Sequence, residues 1–122
     1  MSEWTEDNFG NDGARDYLAM MTAKLVATIR EVVGDDERIA PEEDGESLLM
    51  PSVEILALLC ERCGATPPRP ATVRQWHEKY LAAFDAGIDR MKPAPGFKPD
   101  RRHVIENTFR WLESLSESYF QK

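Results

Sequence analysis

The chain of 122 residues, with a hydrophobic share of 42% and a charged share of 30%, has the size and composition of one globular domain with a single core. Its net charge of −7 argues against a general DNA- or RNA-binding role, because such proteins neutralise phosphates with basic residues. The longest apolar run, from Ile55 to Cys60, is too short to span a membrane, and the acidic start of the chain is unlike a secretory signal. We therefore expect a cytoplasmic protein. In that reducing compartment its two cysteines should remain thiols.

The opening stretch of the chain combines aromatic residues with a helix start. It contains a Trp, a Phe, an Asn-Asp pair, an Ala and an Asp: Trp4, Phe9, Asn11, Asp12, Ala14 and Asp16. This order resembles the start of a family of small bacterial proteins catalogued as domain of unknown function 4259, in which a Gly usually stands at the position of Thr5. The resemblance covers the first third of the chain. It implies a small bacterial protein and no particular reaction, since the family has no assigned activity.

The first predicted helix spans residues 12–33. Its apolar residues recur at spacings of three and four, which places them on one helix face: Leu18, Met21, Leu25, Ile29 and Val32. Asn11 or Asp12 is suited to accept hydrogen bonds from the free backbone N–H groups of the first turn. Gly34 is suited to end the helix.

The acidic and aromatic residues around this helix start have two interpretations. In the structural one, Asn11 or Asp12 caps the helix, and Trp4 or Phe9 is buried against the rest of the protein. In the functional one, Trp4 and Phe9 frame a site for a cation or a polar ligand. Its oxygen-rich cluster consists of Glu6, Asn11, Asp12 and Asp16.

The segment from Asp35 to Glu46 is predicted to be a loop. It carries seven acidic residues against Arg38 alone, and Pro41 and Gly45 interrupt it. A run of this kind is either a solvated loop or a surface that attracts a basic protein. The second alternative assigns partner binding to six acidic residues: Asp35, Asp36, Glu37, Glu42, Glu43 and Asp44.

The second predicted helix begins near Leu49 and ends at Gly64, with Pro51 in its first turn. It contains a C-x-x-C motif, Cys60 to Cys63, whose sulfurs would lie on one helix face. A structural zinc needs four ligands, and neither a second C-x-x-C motif nor a paired-histidine spacing is present. We therefore expect two metal-free thiols that lie mostly out of solvent, and no cofactor.

Two proline-rich connectors separate the remaining predicted helices. The third helix spans residues 71–91, and Asp100 is placed to cap a fourth helix. The sequence thus predicts an all-α protein in which residues 1–122 form a single domain, a four-helix bundle with antiparallel helices. Its expected core includes eight residues from all four helices: Leu25, Ile29, Leu56, Cys60, Trp76, Phe84, Phe109 and Leu112.

The function expected from these patterns is binding to another protein. Residues 1–64 hold 15 acids against 5 Lys and Arg, whereas residues 65–122 hold 7 acids against 10. An acidic surface favours a basic partner, as in an immunity or inhibitor protein that covers a cationic active site. A homodimer is a further possibility. The alternative is a small enzyme or ligand-binding protein. Its site would lie at the opening stretch, with His77 or His103 supplied by another helix.

A smaller basic patch is predicted on the fourth helix, formed by Arg101, Arg102 and Arg110.

Overall fold

A computed structural model describes residues 5–121 of the chain. Within that range the protein has four α-helices and no strand: α1 (Asp12–Val33), α2 (Met50–Leu58), α3 (Pro70–Gly87) and α4 (Phe97–Phe120). The helices form an all-α four-helix bundle, which confirms the fold class predicted from the apolar periodicity. None of the helices in this part of the chain is long and apolar enough to cross a membrane.

The bounds of α1 are those predicted from its capping residues. The Asn11 side chain accepts a hydrogen bond from the backbone N–H of Ala14 at 2.9 Å, which satisfies one of the free donors of the first turn. The helix ends at Gly34, as predicted. Phe9 is half-buried, whereas the prediction for Trp4 falls outside the described residues.

The prediction of a loop from Asp35 to Glu46 is wrong in its second half. A helical segment with π-type hydrogen bonds spans Pro41–Leu49 and continues directly into α2, with a break at Glu43, where φ is −98° and ψ is −114°. Proline is tolerated at a helix start because its missing N–H has no intrahelical acceptor there. The acidic composition of this segment is typical of a loop. The segment is nevertheless held against the bundle, because Ile39 just before it and Leu49 at its end are buried.

The second predicted helix is longer than α2 alone. A π-type turn, Leu59–Cys63, extends α2, and Gly64 ends it with φ of 81°, in the left-handed region that favours glycine. Pro51 lies in the first turn of α2, where the sequence places it.

The start of α4 corrects the expectation that Asp100 caps this helix. The helix begins at Phe97, preceded by Gly96 with φ of 86°, and Asp100 lies inside the first turn. Pro99 also lies in that turn, where its missing N–H breaks no hydrogen bond. The third predicted helix consists of α3 followed by a 3₁₀ turn, Ile88–Met91.

The core confirms six of the eight predicted residues and corrects two. The confirmed residues are buried and come from all four helices: Ile29, Leu56, Trp76, Phe84, Phe109 and Leu112. Leu25 and Cys60 are only partly buried and pack against the edge of this cluster. Helix α4 packs against α2 and α3, whereas α1 packs mainly against α2 and Pro41–Leu49 and so lies at one side of the bundle.

Candidate interaction surface

Asp35, the first acidic residue of the predicted partner-binding surface, has a structural role. Its side chain accepts hydrogen bonds from the backbone N–H groups of Arg38, at 3.1 Å, and Glu37, at 3.0 Å. These two bonds lower the pKa of Asp35, since they stabilise the carboxylate. Asp35 therefore caps the turn that follows α1.

Two further members of the predicted surface are bound to arginines. Glu42 accepts two hydrogen bonds from Arg90, at 2.6 and 3.1 Å, and this pairing lowers the pKa of Glu42. Asp44 accepts one from Arg38 at 2.7 Å. Both pairs are partly exposed, so each contributes little to stability, but both fix the position of the backbone around Glu43.

Glu46, at the end of the acidic run, is half-buried and bonded to two other helices. One of its oxygens accepts a hydrogen bond from the hydroxyl of Tyr80 at 2.6 Å, and the other accepts one from Arg101 at 2.7 Å. The Tyr80 residue is fully buried, and burial together with the nearby carboxylate raises the pKa of its hydroxyl. This cluster connects Pro41–Leu49 with α3 and α4.

Three carboxylates of the predicted surface remain exposed and have no hydrogen bond or ion pair to any described residue. They belong to Asp36, Glu37 and Glu43, and they line a shallow cavity of about 480 Å³ together with Arg38 and Arg90. The sequence does not show which of the six predicted acidic residues are buried or paired with an arginine, because all six carry the same kind of side chain. We define Asp36, Glu37 and Glu43 as the acidic triad.

The basic patch predicted on α4 is engaged by carboxylates. Arg101 binds Glu46, and Arg102 binds both Asp85, at 3.0 Å, and Glu106, at 2.7 Å. Arg110 also binds Glu106. Because these guanidinium groups already have acidic partners, the patch offers little uncompensated charge to a phosphate backbone.

Two polar residues of the opening stretch, Asn11 and Asp12, make local contacts. Asn11 uses its side-chain oxygen as the helix cap, and Asp12 forms an ion pair with Arg15 at 3.4 Å. Asp16 is exposed and has no ion pair within residues 5–121. The Asn11 cap confirms one part of the structural interpretation. Phe9 is only half-buried, and Trp4 lies outside the described residues.

The C-x-x-C motif lies at the edge of the core, and both cysteines are half-buried thiols. Burial raises the pKa of Cys60 to about 11, so only about one molecule in ten thousand carries the reactive thiolate at pH 7. Within residues 5–121, no group of three or more His, Cys, Asp and Glu side chains is placed to share a metal ion. The absence of a bound metal itself stays a prediction.

His77, on α3, packs against α4, whereas His103 is exposed. The imidazole ring stacks on Phe109, with the ring centres 5.1 Å apart and an angle of 9° between the planes. Its Nε2 atom is buried and has no hydrogen-bond partner among the described residues. Burial lowers the pKa of His77, because the charged imidazolium is poorly solvated there.

We expect His77 to make the protein less stable in mild acid. Since the folded protein binds the imidazole proton less readily than the unfolded chain, stability is greatest above about pH 6.5 and falls as the pH drops from there towards the lowered pKa. Replacing His77 with phenylalanine keeps a ring on Phe109 and removes the titration. The Tm should therefore fall less between about pH 7.5 and about pH 5 in His77→Phe than in the wild type. The exposed His103→Gln is the control; equal pH dependence in all three proteins would contradict the assignment.

The comparisons with known proteins place the chain in no group. No family model matches it, and neither a curated protein nor a solved structure matches it. The resemblance of the opening stretch to domain of unknown function 4259 therefore stays a prediction.

Proposed function

We propose that this protein is a protein-interaction module that binds a basic partner through the acidic triad, Asp36, Glu37 and Glu43. The observation that carries the proposal is that these three carboxylates are exposed without an ion pair in the described chain, whereas the acids on either side of them are bound by the protein itself. Uncompensated negative charge on an ordered surface attracts a cationic partner and accelerates its association.

The contacts around the triad support a preformed surface. The Asp35 cap holds the turn that carries Asp36 and Glu37, and the arginine pairs of Glu42 and Asp44 hold the backbone on both sides of Glu43. A preformed surface loses less conformational entropy on binding than a flexible acidic loop. An inhibitor or immunity protein that covers the cationic active site of another protein is the concrete form that we propose.

Neutralising the triad should slow association with the partner. The variant Asp36→Asn, Glu37→Gln, Glu43→Gln removes three charges without touching the cap or the arginine pairs, which a substitution of Asp35 or Glu42 would break. After capture of a partner from the source cell, we expect the variant's association rate to fall roughly tenfold at low salt, with the difference shrinking above about 0.15 M salt.

A matched variant separates local from overall charge. Glu54, Glu78 and Glu117 are exposed and form no ion pair within residues 5–121, so their replacement by Gln removes the same charge elsewhere. The proposal requires this control to associate at close to the wild-type rate. If both variants slow association equally, or if the only ligand found is a small molecule at the opening stretch, the acidic triad is not the interface. The second outcome would favour the enzyme or ligand-binding alternative.

A further inference from the structure

The outer face of α1 is unusually apolar for an exposed helix surface. Tyr17 is 59% exposed and Met20 is 47% exposed, and Met21 is also exposed. Between Asp16 and Arg30, only Lys24 is charged. Tyr and Met are enriched in the buried centres of protein interfaces, so this face has the composition of a contact surface.

A separate groove lies along α1, and Tyr17, Met20 and Met21 are not among its lining residues. It has a volume of about 670 Å³ and runs between α1 and residues 64–68. Helix α1 forms its floor with Ala19, Ala23 and Val26, and Arg15 and Arg30 are the charged residues in its lining. The groove thus leaves one side of α1 open to a partner element, while the other side packs on α2.

Two exposed charges on α1 are arranged symmetrically about Ala23, which lines the groove. Asp16 lies seven residues before Ala23 and Arg30 lies seven residues after it, so all three project from the same face of the helix. Asp16 and Arg30 are both exposed, and neither forms an ion pair or a hydrogen bond through its side chain within the described range. The two charges are about 21 Å apart along the helix axis.

The residues between these charges follow the same symmetry. Ala19 and Ala27 lie four residues on either side of Ala23, whereas Met20 and Val26 lie three residues on either side. Small residues at the centre allow two helices to approach closely, and the larger side chains can pack against the alanines of the opposite helix.

We propose that this face binds a second copy of the chain, with the two α1 helices antiparallel and the twofold axis at Ala23. In this arrangement Asp16 of each copy meets Arg30 of the other, and Met20, about 60° around the helix axis from Ala23, becomes buried. Tyr17 and Met21, about 120° and 160° around the axis from Ala23, lie outside the contact. The interface is self-complementary, as a twofold symmetric contact must be. A parallel pair would instead place like charges together at both ends, which is unfavourable. The acidic triad belongs to a different surface, so this proposal does not depend on the proposed function.

The first test is the oligomeric state of the full chain, measured by sedimentation equilibrium from about 1 µM to about 1 mM, a range that brackets the dissociation constants of small interfaces. We expect a reversible dimer. Ala23→Glu places two carboxylates together at the axis and should leave only monomer, while circular dichroism should show the wild-type helix content, because Ala23 is exposed in one copy. A wild-type monomer throughout the range, or a dimer that Ala23→Glu leaves intact, overturns the proposal.

The second test is a charge exchange, which remains decisive if Ala23→Glu fails to fold. Asp16→Arg alone and Arg30→Asp alone each bring like charges together twice per dimer, so each should weaken dimerisation about tenfold. The double variant restores both opposite-charge contacts and should dimerise within about threefold of the wild type. Glu78→Arg and Lys79→Asp on α3 are matched controls that should have no effect. If the double variant is as weak as the single ones, the antiparallel arrangement is wrong.

Discussion

Replacing Glu46 with alanine is expected to lower the free energy of unfolding by about 2 to 4 kcal/mol. The substitution leaves the hydroxyl of the fully buried Tyr80 without its acceptor at 2.6 Å and leaves Arg101 without its carboxylate at 2.7 Å. The range lies below that for a fully buried pair because the Glu46 and Arg101 side chains are 21% and 24% exposed. Urea unfolding measures the loss, and the Tm should fall by roughly 10 °C.

Glu42→Ala is the matched control for this prediction. Glu42 also accepts two hydrogen bonds from an arginine, but the Arg90 side chain is 60% exposed, so losing this pair should cost no more than about 1 kcal/mol. Tyr80→Phe combined with Glu46→Ala should cost less than the sum of the two single changes, because the partners interact directly. Similar losses in the free energy of unfolding for Glu46→Ala and Glu42→Ala would mean that the partial burial of Glu46 and Arg101 adds nothing to stability.

Gly45→Ala should destabilise the protein by about 3 kcal/mol, at the upper end for overpacking. A Cβ atom at Gly45 would overlap the ring of Tyr80 and the backbone carbonyls of Ile39 and Ala40. The carbonyls cannot move without shifting the start of Pro41–Leu49, and Tyr80 is held by packing and by its bond to Glu46. Thermal and urea unfolding of the purified variant provide the measurement.

The control for Gly45→Ala is a substitution at Gly64, where glycine is favoured by the backbone conformation and not by lack of space. Gly64 has φ of 81°, but no neighbouring atom lies within 4 Å of the point where a Cβ atom would stand, so Gly64→Ala meets only the conformational cost of about 1 to 2 kcal/mol. We therefore expect Gly45→Ala to be the more damaging change. Equal losses would show that the close approach of Tyr80 and the carbonyls can relax.

Glu46 and Gly45 lie in the same segment as Glu43 of the proposed interface, which links fold stability to function. Glu46 bonds Pro41–Leu49 to α3 and α4, and Gly45 leaves room for the ring of Tyr80. The same segment carries Glu43 of the acidic triad. Variants at Glu46 and Gly45 should therefore loosen the surface as well as lower the stability. The triad variant should instead change binding with little effect on unfolding, since surface substitutions usually cost less than about 0.5 kcal/mol.

Local chemistry determined the parts of the fold that the sequence predicted correctly. The bounds of α1 follow from the Asn11 cap and from Gly34, and the end of the second helix follows from the left-handed conformation that Gly64 adopts. The apolar residues at helical spacing predicted the all-α class and most of the core, because each such face must be buried against another element. These signals depend on neighbours a few positions apart, which is why they can be read from the chain alone.

Only the tertiary structure decided which of the acidic residues are available to a partner. Glu42 and Glu46 are separated in sequence by 48 and 55 positions from the arginines that they bind. Asp36 and Glu43 carry the same kind of side chain and are exposed. The helical course of Pro41–Leu49 likewise depends on burial of its ends, which overrides a composition typical of a loop. Charge pairing and burial are properties of residues that meet in space, and a side chain's identity does not specify the distant group that it will contact.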